Sequence, residues 1–276
     1  MRSFHEDQAA GLRRIMAGPK PRIVSVLSAS GKDDLPGILT NLAASLQRQG
    51  SDVLIVHAAD ESKHAMQHYG LENTISLAET VRSKQAPEEA IVPAIQGFSA
   101  ASLLPAYLSG HPVEAKLAQQ LNKLLAKLAN RHEIVLVQSA LNEDEVLPLQ
   151  MLNDSEIVIQ LTAAPSSIKQ AYRLIKQLYG KLGKRPFGIL VHSASEAEAQ
   201  TVFRNIAQVA RQYLHIELDY FGNIPADEHL RRAYSLGRSV IEAFPMAQAS
   251  QAFRDLANRF NYKQAVPLGL EPAPYL

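Results

Sequence analysis

The residues best placed to do chemistry lie between Ile23 and Ala43, in the stretch IVSVLSASGKDDLPGILTNLA. Ser28, Ser30, Lys32, Asp33 and Asp34 crowd a short loop. Before it runs an apolar, β-branched segment (Ile23, Val24, Val26). After it, Ile38, Leu39, Leu42, Ala43 and Leu46 recur at three-and-four spacing, so the order is strand, loop, helix. In α/β proteins this junction is where phosphate sits, because loop N–H groups and the positive end of the helix dipole converge there. The side chains that complete a phosphate site are missing: the string G-x-x-x-x-G-K-[ST] occurs nowhere in the chain. Lys32 is the loop's only cation, and Asp33 and Asp34 bring negative charge into the cradle.

The flanks of this loop resemble the deviant P-loop of the MinD/ParA ATPases, V-T-S-G-K-G-G-V-G-K-T-N-x-S-x-N-L-A, which aligns without a gap from Val26 to Ala43. Ser28, Gly31, Asn41, Leu42 and Ala43 match. The resemblance implies an α/β fold with a mostly parallel β-sheet flanked by helices on both faces. It also implies an ATP site whose functional positions have been replaced. Ser30 falls where the family has its signature Lys, Leu35 where it has the Walker Lys, and Pro36 where it has the magnesium-binding Thr. The family's second-strand aspartates fall at His57 and Ala59, its Walker B Asp at Gln138, and the Asn that contacts the base at His192. Each lost charge-assisted hydrogen bond is worth roughly 1.5–3 kcal/mol, and a nearby carboxylate repels phosphate by about 1–4 kcal/mol depending on screening. Two lysines lost and two aspartates gained remove roughly 5 kcal/mol or more, several decades in affinity. No cofactor is therefore expected; the alternative is an active MinD-like ATPase with a rearranged loop that uses Lys32.

The elements needed to position these residues follow in order. Asp52 to Val56 reads as a second strand, Ser76 to Glu89 as helical, and Phe98 to Leu104 as a strand. Val113 to Ala129 is a long amphipathic helix with a leucine stripe (Leu117, Leu121, Leu124, Leu125, Leu128), and Glu133 to Val137 a buried parallel strand. Glu156 to Gly180 gives strand then helix, with Pro165 near the helix start. Thr162, Pro165, Ile168, Ala171 and Tyr172 match the corresponding MinD/ParA segment. Phe187 to Val191 is a strand, followed by a helix with Val202, Ile206, Val209 and Ala210 inward, a strand over Ile216 to Tyr220, and a last helix from about Ala247 to Phe260. Lys169, Arg173 and Lys176 share a helical face, read as solvated rather than as a nucleic-acid surface. His57, His64 and His68 are close in sequence, but no Cys or well-placed carboxylate completes a metal set, and no metal is expected.

At 276 residues, 46% hydrophobic and 20% charged, the chain is long enough for a large globular core. A net charge of +1 gives no global reason to expect nucleic acid or an acidic membrane as partner. No cysteine is present, which fits a reducing cytosol. No run approaches the ~18 apolar residues that span a bilayer, and a cytoplasmic protein is expected. The domains read as 1–18, a helix and linker; 19–262, the α/β domain; and 263–276, a disordered tail without the amphipathic membrane helix of many relatives.

The N-terminal helix, Asp7 to Met16, carries an apolar stripe of Ala9, Leu12, Ile15 and Met16 and needs a surface to pack on. It either docks or dangles on its own domain, or is offered to a partner groove. Its segment Asp7, Gln8, Ala9, Leu12, Arg13 is similar to the D-Q-A-x-x-L-R segment of the flagellar number regulators FlhG, also called FleN or YlxH. Gly222, Ile224, Pro225, Asp227, Arg231 or Arg232, Ala233, Arg238 and Val240 resemble a second stretch of that family. The resemblance implies a partner: FlhF, a GTPase related to the signal recognition particle, bound and activated through the N-terminal segment. The expected protein is thus a non-hydrolysing regulator of flagellum placement or number, monomeric in isolation because Ser30 replaces the Lys that the family's ATP-sandwich dimer needs. Recruitment to the cell pole or flagellar base, and contact with other polar proteins, would follow from that role.

Overall fold

The computed structural model describes residues 21–30, 34–59, 67 and 69–265, and at residues 34, 106 and 261–265 the backbone alone. The expectations placed on Asp7, Gln8, Ala9, Leu12, Arg13, Lys32, Asp33, His64 and His68, and on the tail after 265, lie outside these residues, as does the side chain of Asp34.

Eight strands form one sheet in the order β3-β4-β2-β5-β1-β6-β7-β8. They are β1 (Arg22–Ser28), β2 (Val53–Ala58), β3 (Ile91–Pro93), β4 (Ser99–Ser102), β5 (Ile134–Ser139), β6 (Glu156–Leu161), β7 (Phe187–His192) and β8 (Leu218–Ile224). Every pairing is parallel except β3 with β4. The central strands bury both faces, which is why they read as unbroken apolar runs. Val135 and Val137 of β5 point to one side with α2 (Leu77–Ser83), α3 (Ala115–Ala129), α4 (Pro165–Leu182) and α5 (Glu196–Leu214). Ile134 and Leu136 point to the other, toward α1 (Asp34–Arg48), α6 (Glu228–Ser235), α7 (Val240–Ala243) and α8 (Gln248–Ala265). No described helix is long and apolar enough to cross a membrane.

Three sequence expectations need correction. The helix expected over 76–89 ends at Ser83. It starts at a Ser76–Glu79 capping box and stops where Lys84 takes the left-handed conformation, φ 56°. A turn of 3₁₀ helix and the antiparallel edge strand β3, absent from the sequence reading, fill the space before β4. The strand expected to end at Tyr220 continues to Ile224 through a register shift opposite Ile189 and Leu190. Gly222 at this irregularity has φ +145°, and a Cβ there would meet Leu256 Cδ2 at 2.7 Å. Val209 is 37% exposed rather than inward; the buried stripe of α5 is Ala199, Val202, Ile206, Ala210 and Leu214.

Arg22 ties the start of β1 to β6 and to α8. Its guanidinium pairs with Glu156, donates to the Phe260 carbonyl oxygen at 2.8 Å and lies 4.4 Å from the Phe260 ring centroid.

Candidate functional site

The C-terminal ends of parallel strands are where ligands bind in open α/β sheets. Here the ends of β1, β2, β5, β6 and β7 bring together Ser28, Ser30, His57, Ala59, Gln138, Gln160 and His192. Gln160, wholly buried in β6, organises the start of the loop. Its Oε1 accepts from Ser28 Oγ at 2.7 Å and its Nε2 donates to Ser30 Oγ at 2.8 Å. Ser30 Oγ also shares a 3.3 Å hydrogen bond with His192 Nε2, and His192 Nδ1 one of 3.0 Å with Ser193 Oγ. The chain begins α1 with Leu35 only 1% exposed, packed into the core beneath the helix. Pro36 follows in the first turn, where a missing N–H is tolerated.

On the other flank of the loop, Gln138 is the fifth residue of β5 and is 5% exposed. Its Oε1 accepts a 2.6 Å hydrogen bond from the hydroxyl of Tyr69, itself 1% exposed. Burial pushes the Tyr69 phenol well above its ordinary value, so it remains a donor. The His57 ring lies 6.1 Å from that of Tyr69.

These pairs stand between two cavities. The larger, about 990 Å³, is lined by Tyr69 and His192 together with Thr40, Asn41, Arg231 and Arg238. The smaller, about 420 Å³, is lined by Gln138, Ser28, Ser30, Ser139 and Arg173. Tyr69 and Gln138 thus face different cavities and bond across the wall, as do His192 and Ser30. A magnesium triphosphate needs carboxylate and hydroxyl ligands for the metal and cations for the phosphates. Among the described residues, Ser30, Leu35, Pro36, His57, Ala59, Gln138 and His192 stand at those positions instead. No described cluster of three His, Asp or Glu side chains is arranged to hold a metal ion.

Sequence reasoning brought Ser30, Leu35, Pro36, His57, Ala59, Gln138 and His192 to one end of the sheet, and the structure places them there. It missed Gln160 and Tyr69. A lone amide inside the apolar run EIVIQL was the available signal for Gln160, since a buried amide demands partners. Tyr69 had none, because its partner lies 69 residues away.

No protein-family profile matches the chain. Its fold is that of the MinD/ParA class of P-loop proteins. The MinD cell division protein of Aquifex aeolicus superposes with a TM-score of 0.63 at 18% identity, covering 91% of this chain and 100% of that one. A ParA family ATPase from Chlorobium tepidum gives 0.61 at 20% identity, covering 86% and 99%. In sequence the chain is similar to the antiactivator FleN of Pseudomonas aeruginosa, 26% identical over 260 residues, 92% of this chain and 90% of that protein.

Proposed function

We propose that this protein regulates flagellum placement or number without binding ATP tightly or hydrolysing it. It acts by engaging an FlhF-type GTPase of the signal recognition particle class through Asp7, Gln8, Ala9, Leu12 and Arg13. The observation that carries the reading is the wall between the two cavities. Where the resemblance puts the signature Lys, the Walker B Asp and the base-contacting Asn, Ser30 bonds to His192 and Gln138 to Tyr69. Binding magnesium ATP there means giving up one buried and one part-buried polar pair, with neither lysine nor carboxylate at the family's positions to compensate. The similarity to FleN supports the flagellar role, and the D-Q-A-x-x-L-R segment supports the partner.

By analogy with the family, Gln8 orients water or a switch loop in the partner's active site, so that stimulation requires no catalysis by this chain. No cofactor or metal is needed, the protein is a cytoplasmic monomer until recruited to the cell pole or flagellar base, and it contacts neither nucleic acid nor membrane stably. A GTPase assay with an FlhF-type partner tests this. Deleting residues 1–18, or combining Gln8→Ala with Leu12→Ala, should abolish stimulation and weaken binding; unchanged stimulation refutes the proposal. Titration with a fluorescent ATP analogue and magnesium should show no saturation at micromolar ligand.

A further inference from the structure

We infer that the larger cavity binds an amphiphilic organic anion, a molecule with an apolar body and one acidic headgroup. The inference rests on the reading above in one respect, that magnesium ATP does not occupy this cleft. At about 990 Å³ the cavity lies at the upper end of the range for small-molecule sites. Its walls include Ile38, Tyr69, Ile224 and Leu230. Ile95, at the tip of the β3–β4 hairpin, also lines it and is 93% exposed, and Tyr234 is 41% exposed. Apolar surface left in water around a concavity is what an apolar ligand would cover.

Charge comes from Arg231 and Arg238. Both line the cavity, and neither guanidinium has an ion pair or hydrogen bond with another described residue. Guanidinium groups grip carboxylate, sulfonate or phosphate in a planar, forked geometry. The acidic groups on this cavity are Asp227 and Glu228. Asp227 is already engaged by the N–H groups of His229 and Ala249, and Glu228 is exposed in the first turn of α6. Arg231 lies on α6 and Arg238 in the turn behind it, so the headgroup is held there, with no role for magnesium.

The test is fluorescence titration of the full chain with anilinonaphthalene sulfonate, an aromatic monosulfonate. Saturable binding of one dye per chain is expected, displaced by decanoate and not by decanol. Arg231→Ala with Arg238→Ala should weaken it by about tenfold or more while leaving the thermal unfolding midpoint unchanged, since both side chains are exposed. Non-saturating binding, equal affinity in the double arginine variant, or displacement by decanol as well as decanoate overturns the inference. Displacement of the dye by micromolar magnesium ATP defeats both this inference and the non-binding reading. Dye failure with magnesium ATP also inert defeats this inference alone.

Discussion

The hydroxyl of Tyr69 donates a 2.6 Å hydrogen bond to Oε1 of Gln138, with both side chains almost wholly buried. In a water-excluded setting, removing one partner leaves the other with its full desolvation penalty. Tyr69→Phe should therefore cost about 1–3 kcal/mol. Urea unfolding checks it: the midpoint should fall with the slope unchanged, because the surface exposed on unfolding hardly alters. A midpoint equal to that of the parent chain would show that this bond does not hold the wall.

Restoring a lysine at the loop should damage the protein rather than revive nucleotide binding. Leu35 is packed into the core formed with Leu39, Leu42 and Tyr69. Leu35→Lys removes that packing and places an ammonium group against the buried Leu39, Leu42 and Tyr69. A loss of about 3 kcal/mol is expected, seen as a lower thermal midpoint with no saturable binding of magnesium ATP. A stable variant that gained ATP affinity would mean that the loop changes register, with the helix start moving relative to Ser28.

How much of this was legible in the sequence varies element by element. The strands through Val24, Val135 and Ile159 are buried on both faces, and a run of β-branched residues announces that without any knowledge of partners. Gln138 and His192 were locatable because each ends such a run. The wall they help form was not, because it arises from pairings between residues far apart in the chain. Lys84 ends α2 in a conformation usually marked by glycine, so nothing in the sequence signalled the stop. β3 is three residues long and closes on Pro93, too short for its alternation to register. Val209 differs from the buried Ala210 by one position, about 100° around a helix of 3.6 residues per turn.

Asp227 gives a prediction with a pH signature. It caps α6 by accepting from the His229 N–H at 2.9 Å, accepts from the Ala249 N–H of α8 at 3.0 Å, and contacts His229 Nδ1 at 2.7 Å. Burial alone would raise its carboxyl, but these hydrogen bonds and the His229 ring outweigh burial and hold it below the ordinary range. A carboxylate depressed in the folded state stabilises fully above the unfolded value, near pH 4, and that contribution is lost as pH falls through the lower folded value. Asp227→Asn should cost about 1–2 kcal/mol at neutral pH. Urea unfolding near pH 7 and near pH 3 should show the gap between parent and variant narrowing in acid; a constant gap would exclude the charge as its source.

The last prediction concerns the close approach of α8 to β8. Gly222 holds φ +145°, and a methyl group there would sit 2.7 Å from Leu256 Cδ2, in a side chain that is 2% exposed. Gly222→Ala therefore meets two penalties: a backbone conformation that side chains resist, worth about 1–3 kcal/mol, and a steric clash that only repacking of Leu256 relieves. Leu256→Ala alone opens a cavity at about 2–5 kcal/mol. In the double variant the clash disappears and the new methyl partly fills the space, so the combined loss should be smaller than the sum of the two single losses. The strain in φ is untouched by the second change, so the double variant should remain less stable than Leu256→Ala alone. A double-mutant cycle measured by chemical unfolding separates these terms. Strict additivity would show that the contact between strand and helix yields without cost, leaving backbone conformation as the whole reason for glycine at this position.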